Sequence, residues 1–525
     1  MYTTRSTTYR PAGTRAGLAD LRGLLNTALD ILEEAAAGRA GPVAPGGPRA
    51  AREAAGRVLA GPLLPDGPAD PVAVLHELVR PYAEWAVDVT HPAALARMQP
   101  PPTAAAATAE LVAATLNQSL HAWESGPFAL ELDRWVVARL AELVGYGAGA
   151  GGTLTSGGSV SNLMALTAAR DDVIAAARGR YVFQEGLIDI GVQPVILAPK
   201  GIHFSVARAA RLLGVGEDHV LTVPVDRHGR MIPEEADRIL GSLPGLPGDQ
   251  VAVALVACAG STDLGVVDPL PEVAEVARRH GVWLHADAAY GGGALFSERL
   301  RPMLDGLALA DSVTLDLHKF GWSPASSAAL LVRREETLIS FGLQPTTCLS
   351  ADDDTCAGYI GLQNTSLQTT RRADALKIAV TMRTLGRAAM GAMVDACHDL
   401  ARHAAARIAA EPRLELAAEP PLTAVLFRYL PAAPLDADAF NGALRRRVME
   451  EGRALLARTH IDRGGGRTRV FLKLMLLNPG TTPGLLDQVL DMLLAVAAEQ
   501  EAAELRALGL DPAAGAAREA AATGA

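Results

Sequence analysis

Between residues 195 and 332, short apolar runs alternate with segments of helical pattern. Five of these runs are apolar on both faces and rich in β-branched residues: VILA at 195–198, VAVALVA at 251–257, VWLHA at 282–286, SVTLDL at 312–317 and AALLV at 328–332. A strand that is apolar on both faces has to be covered on both sides, which is typical of a mostly parallel sheet between helices. The pattern therefore predicts an α/β fold with a mostly parallel central sheet.

The segments on either side of this region predict further domains. An amphipathic helix is expected at Leu18–Ala37, where leucines recur at helical spacing. Helical and strand-like patterns mix after the central region, and the chain ends in an Ala-rich stretch of low complexity. We predict four parts: an N-terminal helical arm at 1–104, a large domain at 105–388, a small α+β domain at 389–500 and a low-complexity tail at 501–525.

Composition narrows the possible partners and locations of the chain. Its 525 residues exceed a single compact core, and its net charge of -10 argues against nucleic acid or an anionic membrane as a partner. No apolar run approaches the length of a membrane span, and the first residues lack the apolar segment of a secretory signal. The four scattered cysteines show no metal-ligand spacing. We therefore expect no metal site and a cytoplasmic protein.

A carboxylate and an amine follow two of the predicted strands. Asp287 comes directly after VWLHA, and Lys319 follows SVTLDL. In open α/β sheets, ligands bind outside the carboxyl ends of the strands, so both side chains are expected to face one crevice. The pair suits pyridoxal 5′-phosphate (PLP), because an amine can hold its aldehyde covalently and a carboxylate can keep its ring nitrogen protonated. Taken alone, either residue would more often belong to an ion pair at a domain edge.

Three further segments add polar groups to the same crevice. GGTLTSGGSVSNLMAL, at 151–166, is a Gly/Ser loop that leads into a helix, and such a helix start attracts phosphate. Gly158 would allow close approach and Ser159 would add a hydroxyl, although such loops are often only helix caps. His203 follows VILA, where its ring could stack on the cofactor or simply be a surface residue. Thr262 follows VAVALVA and could form a hydrogen bond near the cofactor.

These motifs together resemble the group II PLP-dependent amino-acid decarboxylases, which include aromatic-amino-acid, glutamate, histidine and 2,4-diaminobutyrate decarboxylases. The resemblance runs from about Pro81 to Thr482, in family order. It rests on THPAALARMQPPP, LNQSLHAWESGPFALELD, the Gly/Ser loop, HFSVARAA, AGSTDLGVVDPL, HADAAYGG, DSVTLDLHKFGW, SLQTTRRADALK and LLNPGTT. It implies the fold type I of the aspartate aminotransferases, PLP as cofactor, a homodimer and a small L-amino acid as substrate.

The resemblance also implies a role for each candidate residue. Lys319 would hold the cofactor covalently and Asp287 would pair with its ring nitrogen, while His203 would stack on the ring. The other cofactor contacts would come from Gly158, Ser159 and His318 at the phosphate, Ala289 beneath the ring and Thr262 beside it. Relatives carry a tyrosine that protonates the substrate in a loop before the RRxxxLK helix. Tyr359 lies 12 residues before Arg371 and is the candidate for this role.

The implied reaction is the decarboxylation of an L-amino acid to an amine and CO2. The substrate is left open among diaminobutyrate-like, basic, aliphatic and aromatic amino acids. The alternative is a decarboxylation coupled to oxidative deamination, which gives an aldehyde. Relatives of that kind change the loop tyrosine or the stacking histidine, and both Tyr359 and His203 are present here. The sequence therefore favours simple decarboxylation.

Overall fold

The computed structural model of the chain describes residues 10–243, 249–342, 352–462 and 468–511. The α-helices are α1 (Arg15–Ala37), α2 (Gly47–Val58), α3 (Pro71–Val74), α4 (Arg80–Trp85), α5 (Ala104–Leu116), α6 (Pro127–Val144), α7 (Gly158–Arg178), α8 (Val182–Ile190), α9 (Ser205–Leu212), α10 (Pro233–Ser242), α11 (Leu270–His280), α12 (Asp352–Cys356), α13 (Ala375–Ala409), α14 (Ala437–Glu450) and α15 (Pro483–Ala507). The strands are β1 (Ala94–Leu95), β2 (Gly151–Thr155), β3 (Gln193–Pro199), β4 (Val220–Val223), β5 (Gln250–Cys258), β6 (Trp283–Asp287), β7 (Ser312–Asp316), β8 (Ala328–Val332), β9 (Leu414–Leu416), β10 (Ala424–Tyr429), β11 (Leu455–Asp462) and β12 (Thr468–Met475).

The chain forms two compact units. One comprises Met98–Ala401 and Pro420–Ala424, and it contains the larger sheet. The other takes in the chain up to Arg97, then Arg402–Glu419 and the chain from Val425 on. Within the described residues, no helix is both long enough and apolar enough to cross a membrane.

The larger sheet has the predicted architecture. Its described strands follow the order β2-β8-β7-β6-β5-β3-β4. The pairs between β7, β6, β5, β3 and β4 are parallel, whereas β8 runs antiparallel to both of its neighbours. All five predicted strands lie in this sheet. The prediction of a mostly parallel sheet in an α/β fold is confirmed.

Burial explains why the central strands read as continuous apolar runs. Every residue of β6, β7 and β8 is buried, as is the second half of β5. Helix α7 packs against β5, β6, β7 and β8, so one face of these strands is covered along most of its length. A strand that is covered on both faces gains stability from apolar residues at every position, which removes the alternating pattern of a half-exposed strand.

The smaller sheet belongs to the other compact unit and has the order β1-β11-β12-β10-β9. The pair β11·β12 and the pair β9·β10 are antiparallel. β1 contributes a short parallel pair, in which Ala94 lies opposite Leu455 and Leu95 lies opposite Leu456. This pairing joins the N-terminal segment to the C-terminal one within a single unit.

The observed units differ from the four predicted parts. Most of the predicted arm at 1–104 and most of the predicted small domain at 389–500 share one compact unit, because β1 pairs with β11 and the backbone N–H of Gly46 donates to the carbonyl of Glu450. The tail predicted at 501–525 begins inside α15, which continues to Ala507. The amphipathic helix predicted at Leu18–Ala37 is confirmed as α1.

Candidate active site

The carboxyl ends of four adjacent parallel strands meet at one edge of the larger sheet. These strands are β7, β6, β5 and β3, which pair in that order. His203 follows β3, Thr262 follows β5, Asp287 ends β6 and Lys319 follows β7. These four candidate residues thus lie at the edge at which open α/β sheets bind their ligands.

A cavity of about 390 Å³ lies at this edge. Eight of the nine predicted site residues line it: Gly158, Ser159, His203, Thr262, Asp287, Ala289, His318 and Lys319. A volume of this size is typical of cofactor and substrate sites. The prediction that these residues share one crevice therefore agrees with their positions.

Asp287 is held by two hydrogen bonds at the end of β6. Its side chain is buried, and its Oδ2 accepts a hydrogen bond of 2.8 Å from the amide of Asn162. Its Oδ1 accepts a bond of 3.2 Å from the backbone N–H of Ala289. The two donors come from different elements, α7 and the segment after β6, so they fix both the position and the tilt of the carboxylate.

Lys319 forms an ion pair inside the cavity. Its Nζ lies 2.9 Å from Oδ2 of Asp316, the last residue of β7. His318 Nε2 lies 3.6 Å from the same carboxylate oxygen, and His318 Nδ1 is 2.8 Å from the carbonyl oxygen of Ser327. The short turn after β7 thus places an amine, an imidazole and a carboxylate on one side of the cavity.

The first turn of α7 lies close to Asp316 and Ala289. A Cβ atom added to Gly158 would lie 3.1 Å from the Cβ of Ala289 and 3.3 Å from both carboxylate oxygens of Asp316. A side chain at Gly158 would therefore fill the space between the helix start and the strand ends. The first N–H groups of a helix have no partner within the helix and carry partial positive charge, so the start of α7 suits an anion such as a phosphate.

His203 borders the cavity at the start of α9. Its Nδ1 lies 2.8 Å from the hydroxyl of Ser205, and its ring centroid is 4.1 Å from that of Phe204. Burial lowers the pKa of His203 below its ordinary value, while the nearby carboxylate of Asp287 opposes this shift. The ring is therefore mainly neutral near pH 7.

Tyr359, the ninth predicted residue, is not part of the cavity wall. The residue is 47% exposed, and its ring contacts Trp123 edge-on, with 4.9 Å between the ring centroids. Three residues after Tyr359, the backbone N–H of Leu362 donates a hydrogen bond of 2.9 Å to the carbonyl of Leu120. The role of Tyr359 as proton donor stays a prediction.

Two residues of the site were not predicted from the sequence. Asp316 lies three residues before Lys319 at a strand end, and its position in DLHK was the signal that could have identified it. Asn162 lies one helical turn after Gly158, but only its contact with Asp287 reveals its importance. That contact joins positions 125 residues apart, and no local pattern announces it.

The residues present fit PLP. Lys319 supplies an amine for the aldehyde, Asp287 supplies a fixed carboxylate for the ring nitrogen, and the start of α7 offers a space that a side chain at Gly158 would fill. Asp316 Oδ1 is buried and has no hydrogen-bond partner among the described residues, so this wall of the cavity retains an unused polar atom. The amine of Lys319, the carboxylate of Asp287 and the start of α7 are the groups that a phosphorylated pyridine aldehyde needs.

Comparison with known proteins identifies the family. Residues 70–430 match the family model of the pyridoxal-dependent decarboxylase conserved domain. The chain is 40% identical over 446 residues to an L-2,4-diaminobutyrate decarboxylase of Rhizobium meliloti (strain 1021), which covers 83% of this chain and 84% of the relative. It is 33% identical over 436 residues to the L-2,4-diaminobutyrate decarboxylase of Acinetobacter baumannii, with 81% and 83% covered.

A solved structure agrees with these relatives. The chain is similar to a crystal structure from Vibrio parahaemolyticus, described as the glutamate decarboxylase domain of diaminobutyrate-pyruvate transaminase and L-2,4-diaminobutyrate decarboxylase. The TM-score is 0.82 at 29% identity, and the match covers 93% of this chain and 97% of that one. The predicted fold type I and the predicted PLP cofactor are confirmed, and the aldehyde-forming alternative is not favoured.

The family match covers residues 70–430, which include every strand end that borders the cavity. The family and the reaction predicted from the motifs are confirmed. The chain belongs to the group II PLP-dependent decarboxylases, and it removes the carboxylate of an amino acid as CO2.

Proposed function

We propose that the substrate is L-2,4-diaminobutyrate and that the products are 1,3-diaminopropane and CO2. The proposal is supported by two relatives that carry this activity in their names and align with more than four fifths of the chain. Both alignments also cover more than four fifths of the relative, so the similarity extends well beyond the cofactor site.

The charge of the cavity supports a cationic substrate. Asp287 and Asp316 line it, and Lys319 is the one lysine or arginine among its described lining residues. Since Lys319 would hold the cofactor, no other cationic side chain of the described wall is left to pair with the side-chain carboxylate of an acidic amino acid. With Asp287 paired to the ring nitrogen, a second ammonium group on the substrate would instead meet a wall whose remaining carboxylate is Asp316.

We assign the cofactor contacts as the family resemblance implies them. Lys319 holds PLP covalently, Asp287 pairs with the ring nitrogen and His203 covers one ring face. The remaining contacts are Gly158, Ser159 and His318 at the phosphate, Ala289 beneath the ring and Thr262 beside it. The observation that carries this assignment is that Lys319 and Asp287 line one cavity from the ends of adjacent parallel strands.

When bound, PLP supplies an electron-poor ring that can accept the electron pair left behind by departing CO2. Asp287 holds a proton at the ring nitrogen, because its carboxylate is fixed at the cavity wall by Asn162 and Ala289. His203 covers the ring and keeps water away from it. The described wall presents no arginine to the substrate carboxylate, so this group is not stabilised before it leaves.

The last step requires a proton at the substrate Cα, and we propose Tyr359 as its donor. The hydroxyl of Tyr359 has to reach the cavity for this role, either by a movement of its segment or in the cavity of a second subunit. Its exposure of 47% and its single described ring contact, with Trp123, are compatible with either route.

A CO2-release screen tests the proposed substrate. The purified enzyme with PLP is offered L-2,4-diaminobutyrate, L-ornithine, L-lysine, L-glutamate, L-cysteine sulfinate and L-tyrosine. We expect the highest kcat/KM for diaminobutyrate, with equal amounts of CO2 and 1,3-diaminopropane. A higher kcat/KM for any other amino acid in the screen would refute the proposed substrate while leaving the decarboxylase activity in place.

We further propose that the enzyme is a homodimer that works in the cytoplasm. The dimer is supported by exposed leucines on α1, at Leu18, Leu29 and Leu32. The location is supported by the three described cysteines, Cys258, Cys356 and Cys397, none of which forms a disulfide.

A further inference from the structure

The side chain of Asn162 contacts four polar groups from three other elements. The residue is 1% exposed and lies on the face of α7 that packs on the sheet. Its amide nitrogen is 2.8 Å from Asp287 Oδ2 and 2.9 Å from Ser205 Oγ. Its amide oxygen is 2.9 Å from Thr314 Oγ1 and 3.0 Å from His285 Nε2. Every hydrogen-bonding position of the amide is therefore used.

The neighbours determine which way the amide points. The reverse orientation would place the amide oxygen 2.8 Å from the carboxylate of Asp287, and two acceptors repel at that distance. The oxygen therefore faces Thr314 and His285, which must both donate to it. His285 consequently carries its proton on Nε2.

The contacts of His285 on its other side agree with this tautomer. Burial lowers the pKa of His285 to about 4, so the ring is neutral and its Nδ1 accepts. The hydroxyl of Ser312 lies 2.8 Å from this Nδ1 and also accepts a bond of 2.8 Å from the indole N–H of Trp283. Ser312 can therefore donate its own proton to His285. Each donor in this buried series then has an acceptor, from Trp283 through Ser312 and His285 to the amide oxygen of Asn162.

The same reasoning extends from Asn162 toward the cavity. Ser205 Oγ accepts from the Asn162 amide, which leaves the hydroxyl proton of Ser205 for His203 Nδ1 at 2.8 Å. The backbone N–H of Ser205 also points at this Nδ1, at 3.3 Å. Two donors converge on one ring nitrogen, and the tautomer that satisfies both has its proton on Nε2 of His203.

We propose that Asn162 is a positioning residue that sets two cavity groups at once: the carboxylate of Asp287 directly, and the Nε2–H tautomer of His203 through Ser205. The importance of these two groups rests on the proposed cofactor contacts, whereas the tautomer of His203 can be measured without any cofactor. One amide holds Asp287 directly and His203 through Ser205. A change at Asn162 should therefore affect both Asp287 and His203, whereas a change at Ser205 should affect His203 alone.

Three variants separate these effects. Asn162→Asp keeps the size of the side chain and removes both N–H donors. Ser205→Ala removes the connection to His203 and leaves the contact between Asn162 and Asp287. Thr167→Val, on the same helix, is the control, because the Thr167 hydroxyl donates to the carbonyl of Leu163 and, within the part of the chain that the structure describes, lies outside the network.

Two measurements are made on each variant. Nitrogen-15 NMR of apoprotein labelled in its histidine rings reports which ring nitrogen of His203 is protonated, with a His203→Asn sample to assign the signals. Titration of the apoprotein with PLP, followed by absorbance, gives the dissociation constant. Thermal melting confirms that each variant is folded.

We expect Asn162→Asp to raise the PLP dissociation constant about 10- to 100-fold, since a hydrogen bond to a buried carboxylate is lost, and to shift the His203 signals. Ser205→Ala should shift the His203 signals and change the dissociation constant less than about threefold. Thr167→Val should change neither. Unchanged His203 signals in Ser205→Ala would overturn the proposal, even if Asn162→Asp does not fold.

Failure of the cofactor assignment gives a different result. A wild-type protein that binds no PLP but shows the Nε2–H tautomer of His203, with signals that shift in Ser205→Ala, would refute the proposed cofactor contacts and retain the network. A wild-type protein that binds PLP but has its His203 proton on Nδ1 would retain the proposed function and refute the role of Asn162.

Discussion

Lys319 differs from the other lysines of the chain in its surroundings. The sequence contains four: Lys200, Lys319, Lys377 and Lys473. Lys377 is buried between the carboxylates of Glu110 and Asp374, at 3.1 Å and 2.9 Å. Lys319 lines the cavity, and its ion pair with Asp316 keeps the amine at the end of β7. A chemical test of the covalent lysine therefore has few possible targets.

Lys319→Ala should abolish the covalent attachment of PLP. We expect borohydride to fix no cofactor to the variant and turnover to fall by at least about 1,000-fold, because the amine that holds the aldehyde is absent. Peptide mass spectrometry after reduction measures the attachment. Lys200→Ala is the control and should keep both the modified peptide around position 319 and the wild-type rate. Borohydride-fixed cofactor in Lys319→Ala would show that another lysine carries it.

The sequence predicted the residues that follow strands and missed those that depend on packing. Asp287 and Lys319 could be placed because a strand end has a known position in an open α/β sheet. Asn162 and Ser205 could not, because their hydrogen bond joins α7 to α9 across 43 residues of chain. Tyr359 was selected from its position in a motif, and its contact with Trp123 depends on tertiary structure that the motif does not describe.

At the scale of elements, β6 connects the cavity to the buried network. Side chains two residues apart in a strand point to the same face, so His285 and Asp287 both face α7 and both contact Asn162. His285 is fully buried, and desolvation lowers its pKa to about 4 from an ordinary value of about 6.5. A charged imidazole at this position would break the acceptor contact with Ser312.

The stability of the enzyme should therefore depend on pH through His285. In the unfolded chain His285 takes up a proton near pH 6.5, whereas in the folded protein it does so only near pH 4. Its contribution to stability is thus present above pH 6.5 and is lost as the pH falls toward 4, by about 2 kcal/mol between pH 7 and pH 5. Urea unfolding at both pH values measures the loss.

His285→Gln removes the titrating ring and isolates its contribution. The variant is expected to be less stable than the wild type at pH 7, because the hydrogen bonds of the ring are lost. Its free energy of unfolding should nevertheless fall less between pH 7 and pH 5 than that of the wild type. The difference in stability between the two proteins should therefore be smaller at pH 5. His228→Gln, on an exposed turn, should follow the wild-type curve. Equal losses in wild type and His285→Gln would exclude this role of His285.

The segment around Tyr359 provides a second test at this scale. If Tyr359 donates the proton to Cα, Tyr359→Phe should still release CO2, but the amine should be formed more slowly and oxygen should divert part of the product to aldehyde, ammonia and peroxide. Tyr181→Phe, at a similarly exposed tyrosine, should give amine only. Amine and aldehyde are quantified from the same reaction. Amine alone at a near-normal rate in Tyr359→Phe would eliminate Tyr359 as the donor and leave it a packing role.

The predicted helices and strands were most accurate where the local sequence itself indicates burial or a break in a helix. The run ALKIAVTMRTLG at 375–386 has a helical pattern that ends in a glycine, and α13 leaves helical geometry at this Gly386, where φ is +68°. The sequence pattern missed β2, because two of the five residues in Gly151–Thr155 are glycines and glycine lowers strand propensity. The strand forms nevertheless, since β2 pairs with β8 along its full length.

At the scale of the whole molecule, the sequence could not predict which distant segments share a compact unit. The pairing of Ala94 with Leu455 joins positions more than 300 residues apart and rests on a strand of two residues. Such a short strand has no recognisable pattern of its own. The larger sheet was predictable because its strands bury both faces, whereas the smaller unit depends on contacts between the ends of the chain.

Helix α1 leaves an apolar stripe exposed in the single chain. Leu18, Leu29 and Leu32 are 47%, 55% and 50% exposed. Their spacings of 11 and 14 residues are close to three and four turns of helix, so all three lie on one face. The opposite side of the helix buries Ile31 and Ala35. A second subunit would remove the exposed stripe from water, which gives the proposed homodimer a defined surface.

The double substitution of Leu29→Glu with Leu32→Glu should weaken this dimer. Placing two carboxylates on the stripe opposes its burial, because each would lose its hydration in the interface. We expect light scattering at micromolar concentration to give the mass of a dimer for the wild type and a mass nearer that of a monomer for the variant. The control carries Leu63→Glu and Leu64→Glu, two isolated exposed leucines, and should remain dimeric. A monomeric and fully active wild type would refute the dimer, and a variant that stays dimeric would place the interface elsewhere.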